Sequence, residues 1–167
     1  MNYILVAEKG EAKHILIPED LRRKTKIIII GIGEHAVIRT LSRLILSGKI
    51  HNDDKIFNIG YCGSNTAMVG EVVEIGCCAL EKPSHTIRDR RYVLGEAKVT
   101  CYSAGDFVEK TRHKGVFDME LYTIAGFFKH VFALKIVSDN LNYKQYKEVD
   151  LEKSWQIAND RLFAMMK

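Results

Sequence analysis

Short apolar runs and helical periodicities alternate along this chain. Buried β-strands are predicted at four short apolar runs, residues 2–7, 26–30, 55–59 and 131–137. The run at 26–30 holds four consecutive isoleucines and ends at a glycine, which predicts a strand that is buried on both faces. Residues 34–46 and 151–166 carry apolar side chains at helical spacing, so we expect amphipathic helices there.

Less regular patterns predict the remaining strands and helix. We expect strands at residues 15–18, 70–80 and 92–101, and a helix at 118–129. The glycine-rich segments 31–33 and 60–65 are predicted to be turns. Because predicted helices alternate with buried strands, the pattern indicates an α/β fold, with parallel strands joined by crossover helices that cover the sheet.

The composition is that of an ordinary globular protein. The chain has 167 residues, of which 47% are hydrophobic and 28% are charged, and this fits a single domain over residues 1–167. The N-terminus lacks the basic segment and cleavage site of a signal peptide. No apolar run approaches the roughly 18 residues that a membrane helix needs. We therefore expect a cytoplasmic protein with no membrane partner.

Charge and cysteine usage exclude several other classes of protein. The formal net charge is +4, and the two basic clusters, Arg22-Arg23-Lys24 and Arg88-Asp89-Arg90-Arg91, are too short for a nucleic-acid-binding tail. We expect no nucleic-acid partner. The four cysteines include no CxxC pair, and the adjacent Cys77 and Cys78 would point to opposite faces of a strand. We expect buried free thiols and no metal site.

Residues 31–36, Gly-Ile-Gly-Glu-His-Ala, resemble part of a dinucleotide-binding fingerprint. However, Ala36 replaces the third glycine, and no acidic residue ends a second strand about 20 residues later, where the ribose contact would lie. Asp53 and Asp54 are near that distance but precede a predicted strand. We interpret the segment as a tight turn from strand to helix and expect no cofactor.

Candidate ligand-binding groups follow several predicted strands. Ligands of parallel sheets lie at the carboxyl ends of strands, where Ser138-Asp139 and the two glycine-rich segments are found. Asp139 can act there as a general acid, but a turn or helix-capping role explains it equally well. Glu120, at the start of a predicted helix, can accept hydrogen bonds from two neighbouring hydroxyls or stabilise the helix dipole. The pattern predicts a small-molecule site and leaves these alternatives open.

Five segments, taken in order, resemble the nucleoside phosphorylase and nucleosidase superfamily. They read IIIIGIGEHAVIRTL at 27–41, IFNIGYCGSNTAMVGEVVEIG at 56–76, YSAGDFVEKT at 102–111, VFDMELYTIAGFF at 116–128 and ALKIVSDNLN at 133–142. The most specific are DMEL and, one helix and one strand later, VSD. The resemblance implies a three-layer α/β/α fold with a mixed, mostly parallel central sheet, a nucleoside ligand and a homo-oligomer. The chain resembles a shortened member, compressed before Gly31 and between Gly76 and Tyr102.

The resemblance implies a role for each matching residue. Asp139 would protonate the leaving base, while Met119 and Glu120 would hold the ribose. Phe107 would stack on the base, and the backbone near Val108 would contact the base edge. The sugar-side nucleophile would lie beside the glycine-rich segment, Gly60, Tyr61, Cys62 and Gly63.

The nucleophile separates two branches of this superfamily, because phosphorylases use phosphate and nucleosidases use water. Asn58 stands where phosphorylases usually have an arginine, and residues 7–11 lack their basic phosphate-binding pattern, which favours water. Glu11 is the nearest candidate to activate that water, followed by Glu8. Our leading hypothesis is hydrolysis of the N-glycosidic bond of a purine nucleoside or thio-nucleoside. The alternatives are phosphorolysis, with phosphate as a second ligand, and a catalytically silent nucleoside-binding or oligomer-forming protein whose sugar pocket is narrowed by Tyr61.

Overall fold

The computed structural model describes residues 1–82 and 91–167, in which eight strands and six helices are present. The strands are β1 (Asn2–Val6), β2 (Thr25–Ile29), β3 (Lys55–Ser64), β4 (Val72–Leu80), β5 (Tyr92–Val93), β6 (Val99–Ser103), β7 (Val116–Asp118) and β8 (His130–Asp139). The helices are α1 (Lys9–Ala12), α2 (Glu19–Arg22), α3 (Glu34–Leu46), α4 (Leu121–Phe127), α5 (Tyr143–Glu148) and α6 (Glu152–Met165). The predicted basic cluster at 88–91 lies, except for Arg91, outside the described residues.

These eight strands form one mixed sheet in which most paired strands are parallel. β1 lies between β2 and β3, and β3 is also paired with β8 along most of its length. The strands β3, β8, β4, β6 and β7 are paired in a closed ring, because the end of β3 also pairs with β7. The predicted α/β fold with a mixed, mostly parallel sheet is confirmed.

Helices cover both faces of this sheet and complete three layers. On one face α3 and α4 bury Val37, Leu41 and Ile124 in the larger apolar cluster. On the other face α6 buries Trp155 and Leu162 against β1, β3 and β8. Full burial of such a side chain contributes about 1.5–3 kcal/mol, so each helix is held by the apolar stripe that predicted it. Among the described helices, none has the length and apolar character to cross a membrane.

The prediction that the isoleucine run at 26–30 is buried on both faces is wrong. The strand β2 lies at the edge of the sheet and pairs only with β1 among the described strands. Ile29 is 42% exposed, whereas Ile30 is buried. A run of β-branched residues identifies a strand but does not reveal whether the strand is central or at an edge.

The predicted turn at 60–65 is also wrong, because β3 continues through it to Ser64. Its glycines are explained by close approach of side chains. A Cβ atom on Gly60 would lie 2.6 Å from Glu11 Oε1, and one on Gly63 would lie 2.9 Å from Asp139 Oδ1. Both distances are shorter than real Cβ contacts, so glycine at these positions allows two carboxylates to lie directly on the strand.

Three smaller predictions also differ from the structure. Residues 15–18 form no strand, and residues 92–101 contain the separate strands β5 and β6 instead of a single one. The helix predicted at 118–129 begins only at Leu121, because Asp118 is the last residue of β7 and is paired with β6. Glu120 is the residue that caps this helix.

The four cysteines are free thiols, as predicted. Cys62, Cys78 and Cys101 are buried and Cys77 is half-buried. Burial raises the pKa of all three buried thiols, so they are protonated apolar groups of the core at neutral pH. In the described ranges, no cluster of three or more His, Cys, Asp or Glu side chains is placed to hold a metal ion.

Candidate active site

A cavity of about 340 Å³ opens beside the ends of β1, β3 and β8 and the junction of β7 with α4. Nine of the ten predicted site residues line it, namely Glu11, Tyr61, Cys62, Gly63, Phe107, Val108, Met119, Glu120 and Asp139. The tenth, Gly60, lies against the carboxylate of Glu11. The fold therefore brings together residues that are up to 128 positions apart in sequence.

Glu11 is held against β3 by backbone N–H groups. It lies in the short helix α1, directly after β1, and is buried. Tyr61 N donates to its Oε1 at 3.0 Å, and Ala7 N and Glu8 N donate to its Oε2 at 2.7 and 3.4 Å. Burial raises the pKa of Glu11, although these donors and Lys135 oppose the increase. A fixed carboxylate with a raised pKa is suited to accept a proton from water.

Asp139 lies at the end of β8, where the pairing with β3 is irregular. The register shifts so that Asp139 pairs with Gly63 and Ser138 is skipped, and bulges of this kind redirect side chains beside active sites. The Oδ1 atom accepts hydrogen bonds from Leu141 N at 2.9 Å and Asn142 N at 3.3 Å. Ser138 Oγ lies 2.8 Å from Oδ2. The turn role considered from the sequence is therefore real, and it fixes this carboxylate at the cavity wall.

Glu120 faces the same cavity from the start of α4. Gly33 N donates to its Oε1 at 2.9 Å, and this is the only hydrogen bond to its carboxylate within the described residues. Gly33 has φ of 80°, which favours glycine, so the turn at 31–36 serves to direct an N–H group at Glu120. Burial, followed by the nearby charge of Asp118, raises the pKa of Glu120 to about 7. Its second oxygen is left available to a ligand.

A buried ion pair that the sequence analysis did not identify lies beside Glu120. Lys135 Nζ is 2.8 Å from Asp118 Oδ2, and the two side chains are 2% and 0% exposed. Ser103 Oγ donates to Asp118 Oδ1 at 2.5 Å, and Leu121 N donates to Oδ2 at 3.0 Å. A single lysine inside an otherwise apolar strand was the available signal, because buried lysines are rare unless paired.

Four aromatic side chains line another part of the cavity, and we call them the aromatic wall: Tyr61, Phe107, Tyr143 and Tyr146. Phe107 packs edge-on against Tyr143, with ring centroids 5.3 Å apart, and Tyr61 packs edge-on against Tyr146 at 6.3 Å. The hydroxyl of Tyr61 accepts a hydrogen bond from Trp155 Nε1 at 2.8 Å. The sequence analysis missed Tyr143 and Tyr146, although their i, i+3 spacing after Asn142 predicts one face of a short helix.

The charges along the cavity are of one sign. Six carboxylate residues line it, Glu8, Glu11, Asp106, Asp118, Glu120 and Asp139, and no lysine or arginine is among the described residues that do so. Asn58 is buried, and its Nδ2 donates to Leu5 O at 3.1 Å. The described walls therefore offer proton donors and acceptors and apolar surface, but no cation for an anionic ligand.

Solved structures that resemble this one include nucleosidases and a futalosine hydrolase. No protein-family model matches the sequence, and no curated protein matches it significantly. The likeness is therefore one of three-dimensional structure. It confirms the predicted α/β fold.

Three solved structures illustrate this likeness. The 5′-methylthioadenosine/S-adenosylhomocysteine nucleosidase of Helicobacter pylori has a TM-score of 0.76 at 14% identity, over 99% of this chain and 97% of that chain. Futalosine hydrolase of Helicobacter pylori has a TM-score of 0.78 at 17% identity, over 99% and 96%. The corresponding nucleosidase of S. pneumoniae, with a transition-state inhibitor, has a TM-score of 0.74 at 15% identity, over 96% of each chain.

Proposed function

We propose that this protein hydrolyses the N-glycosidic bond of a purine-type nucleoside or thio-nucleoside. The observation that carries the proposal is a single cavity in which three buried carboxylates, Glu11, Glu120 and Asp139, lie beside an aromatic wall. The likeness to nucleosidases supports it, since one Helicobacter pylori structure holds 5′-methylthioadenosine in its active site. Carboxylates and an aromatic surface are the groups that acid–base cleavage of a nucleoside requires.

The spacing of two carboxylates along β3 fits a sugar between them. Glu11 contacts β3 at Gly60 and Asp139 contacts it at Gly63, three residues further on. Three residues of a strand span roughly 10 Å. A ribose held between these points can present the bond to its base towards Asp139 and the opposite side of its C1′ atom towards Glu11.

In the proposed reaction the bond between C1′ and the base nitrogen breaks, and its electron pair leaves with the base. Asp139 acts as the acid and donates a proton to N7 of the purine, which neutralises the leaving group. Water attacks C1′ of the oxocarbenium-like sugar and gives its proton to Glu11. Exchange with solvent then restores both carboxyl groups. A positioned acid or base of this kind contributes about 10²–10⁴-fold to the rate.

Other residues of the cavity position the substrate in this proposal. Ionised Glu120 accepts hydrogen bonds from two ribose hydroxyls through its available oxygen, and Met119 packs on the sugar. Phe107 stacks on the base, whose edge meets the backbone near Val108. Cys62 and Tyr61 complete the sugar side of the cavity, where Tyr61 N already fixes Glu11.

Water is favoured over phosphate as the nucleophile. A phosphate dianion in a cavity lined by six carboxylate residues needs a compensating cation, and the described lining supplies none. The side chain of Asn58, at the position that distinguishes the two branches, is directed to a backbone carbonyl instead. Phosphorolysis therefore stays the second hypothesis.

We also propose that the protein forms a homo-oligomer through the face that carries β2 and α3. Large apolar side chains on this face are exposed, namely Ile29, Ile32, Ile38 and Leu46. Ile32 also lines the cavity, so a second copy bound there would border the ligand. Light scattering should give a mass of at least two chains, and Ile38→Glu should reduce it to one.

A panel of nucleosides assayed for free base, with and without phosphate, tests the proposed function. The panel includes adenosine, inosine, 5′-methylthioadenosine and S-adenosylhomocysteine. We expect release of base without phosphate and formation of the free sugar. Release that requires phosphate and yields a sugar 1-phosphate would favour phosphorolysis. Thermal stabilisation by a nucleoside without any release of base would favour the silent binding protein.

A further inference from the structure

The ammonium group of Lys135 is a buried charge that has no role in the proposed reaction. Its side chain is 2% exposed, and Lys135 pairs with Gly60 in the register of β3 and β8. It therefore lies in the strand next to the glycine on which Glu11 rests. A buried charge is stable only when nearby groups compensate it, so the groups around Lys135 must supply that compensation.

Acidic and thiol groups from six elements face Lys135. Asp118 of β7 is its direct partner, and the charge of Lys135 also acts on Glu120 at the start of α4 and Glu11 of α1. The protonated thiols of Cys62 in β3, Cys78 in β4 and Cys101 in β6 lie near it. Burial alone would lower the pKa of Lys135, but the carboxylates of Asp118 and Glu120 raise it above its ordinary value. Lys135 is therefore a permanent cation beside two of the carboxylates that face the ligand cavity.

The carboxylates of Asp118 and Glu120 differ in how many groups stabilise their negative charge. Asp118 accepts hydrogen bonds from Ser103 Oγ and Leu121 N in addition to its ion pair with Lys135. The carboxylate of Glu120 accepts a hydrogen bond only from Gly33 N among the described residues. Hydrogen-bond donors favour the ionised form of a carboxyl group, and Glu120 has fewer of them than Asp118.

We propose that Lys135 is a positioning residue that favours the ionised form of Glu120 and, through its ion pair with Asp118, anchors the segment that carries Met119 and Glu120. The ammonium offsets the repulsion between Asp118 and Glu120, two residues apart in the chain. If the charge of Lys135 is lost, two buried carboxylates face each other without a cation, and Glu120 takes up a proton. A protonated Glu120 is a poorer acceptor for a pair of hydroxyl groups. The consequence for the ligand rests on the proposed function, whereas the effect on Glu120 does not.

The experiment follows the titration of Glu120 by NMR in the ligand-free protein, with the carboxyl signal assigned from a Glu120→Gln variant. Lys135→Gln removes the charge but keeps a donor for Asp118, and Lys135→Arg is the matched control that keeps the charge. We expect the midpoint of Glu120 to increase by about one pH unit or more in Lys135→Gln, since a nearby opposite charge shifts a carboxyl by about 1–3 units. In Lys135→Arg it should stay near the wild-type midpoint. Equal midpoints in the two variants would overturn the proposal.

A second pair of variants keeps the test decisive if Lys135→Gln does not fold. Asp118→Asn and the double variant Asp118→Asn/Lys135→Gln differ only in the ammonium group, and the double variant buries no uncompensated charge at this position. Glu120 should titrate at a midpoint about one pH unit lower in the single variant. No difference between the two would contradict the proposal.

An activity measurement extends the test to ligand binding. For any nucleoside that the wild type cleaves, the acid limb of the kcat/KM profile should move to higher pH in Lys135→Gln. At the low-pH end of the profile kcat/KM should fall about tenfold in this variant and should not fall in Lys135→Arg. An unmoved acid limb would count against the proposal. If the wild type cleaves no nucleoside, the proposed function fails, while the titration of Glu120 still decides the role of Lys135.

Discussion

Asp118 and Glu120 lie two positions apart at the junction of β7 and α4, yet their surroundings differ in kind. Asp118 is paired with Lys135 and receives two further hydrogen bonds, so its charge is compensated by the protein itself. Glu120 is also buried, but its carboxylate receives one hydrogen bond within the described residues, and its pKa is raised to about 7. The pairing of Asp118 with Lys135 favours the folded state. The carboxylate of Glu120 lowers the stability of the fold but leaves an oxygen available to a ligand.

The same contrast separates the floor of the cavity from its walls. At the floor, which Asp118 helps to line, the buried charge is compensated by Lys135. On the walls, Glu11, Glu120 and Asp139 are fixed by backbone N–H groups but have no cationic partner in direct contact among the described residues. We expect substitutions in the compensated ion pair to reduce stability. Substitutions of the three carboxylates without a cationic partner should reduce activity.

The largest effect is expected on the rate, from Glu11→Gln. An amide keeps the size of the side chain but cannot accept a proton from water, so base release should fall about 10²–10⁴-fold. Glu8→Gln is the matched control, because Glu8 lines the same cavity and was the other candidate base. Steady-state rates of base release compare the two variants. A loss of rate in Glu8→Gln that equals the loss in Glu11→Gln would remove the distinction between them.

The next largest effect is expected on stability, from Asp118→Ala. The substitution leaves the buried ammonium of Lys135 without its partner, and breaking a buried pair in this way costs about 3–5 kcal/mol. Asp53→Ala breaks the exposed pair with Lys129 and should have a much smaller effect. Denaturant unfolding at pH 7 gives both free energies. Similar losses of unfolding free energy in the two variants would show that the buried pair contributes no more to stability than the exposed pair.

A pH-dependent effect of intermediate size is expected from Glu120→Gln. Since the pKa of Glu120 is raised from an ordinary value of 4.5 to about 7, the folded wild type binds this proton more tightly than the unfolded chain does. That contribution is fully present below pH 4.5 and is lost as the pH rises through 7. The variant should therefore gain stability relative to the wild type over this window, by on the order of 3 kcal/mol.

Denaturant unfolding of both proteins at pH 4.5, 6 and 8 measures this gain. The difference in unfolding free energy between Glu120→Gln and the wild type should increase up to pH 8. A difference that is constant with pH would contradict the raised pKa of Glu120. The variant should at the same time lose affinity for nucleosides at every pH, because the amide replaces an anionic acceptor.

The smallest effect on stability is expected from Gly60→Ala. The new Cβ atom would lie 2.6 Å from Glu11 Oε1, so the carboxylate must shift relative to its backbone donors, at a cost of about 1 kcal/mol. The movement displaces the proposed base, so activity should fall more than stability. Gly95→Ala is the matched control, since no atom lies within 4 Å of its Cβ position. Unchanged activity in Gly60→Ala would mean that the position of Glu11 is not critical.

Much of the fold could be predicted from periodicity. The helices α3 and α6 and the strands β1 and β8 each carry one dominant pattern, which the structure confirms within a few residues. The extent of β3 could not be predicted, because glycine is a signal for turns as well as for close approach. The reason for Gly60 and Gly63 is a pair of side chains that are distant in sequence, and no local pattern contains them.

The candidate site was predictable as a set of residues but not as an electrostatic unit. The resemblance to a superfamily named the residues that line the cavity, and the structure places them together. It did not reveal Lys135, because the apolar residues around this lysine predicted an ordinary buried strand. The roles of these residues, the single domain and the cytoplasmic location stay predictions.

The most direct test of the central claim compares base release by the wild type and by Asp139→Asn, with nucleoside affinity measured by calorimetry in the same samples. We predict that the variant binds the nucleoside with an affinity similar to that of the wild type but releases base about 10²–10⁴-fold more slowly. Release of base at the wild-type rate would contradict the assignment of Asp139 as the acid and the proposed reaction with it.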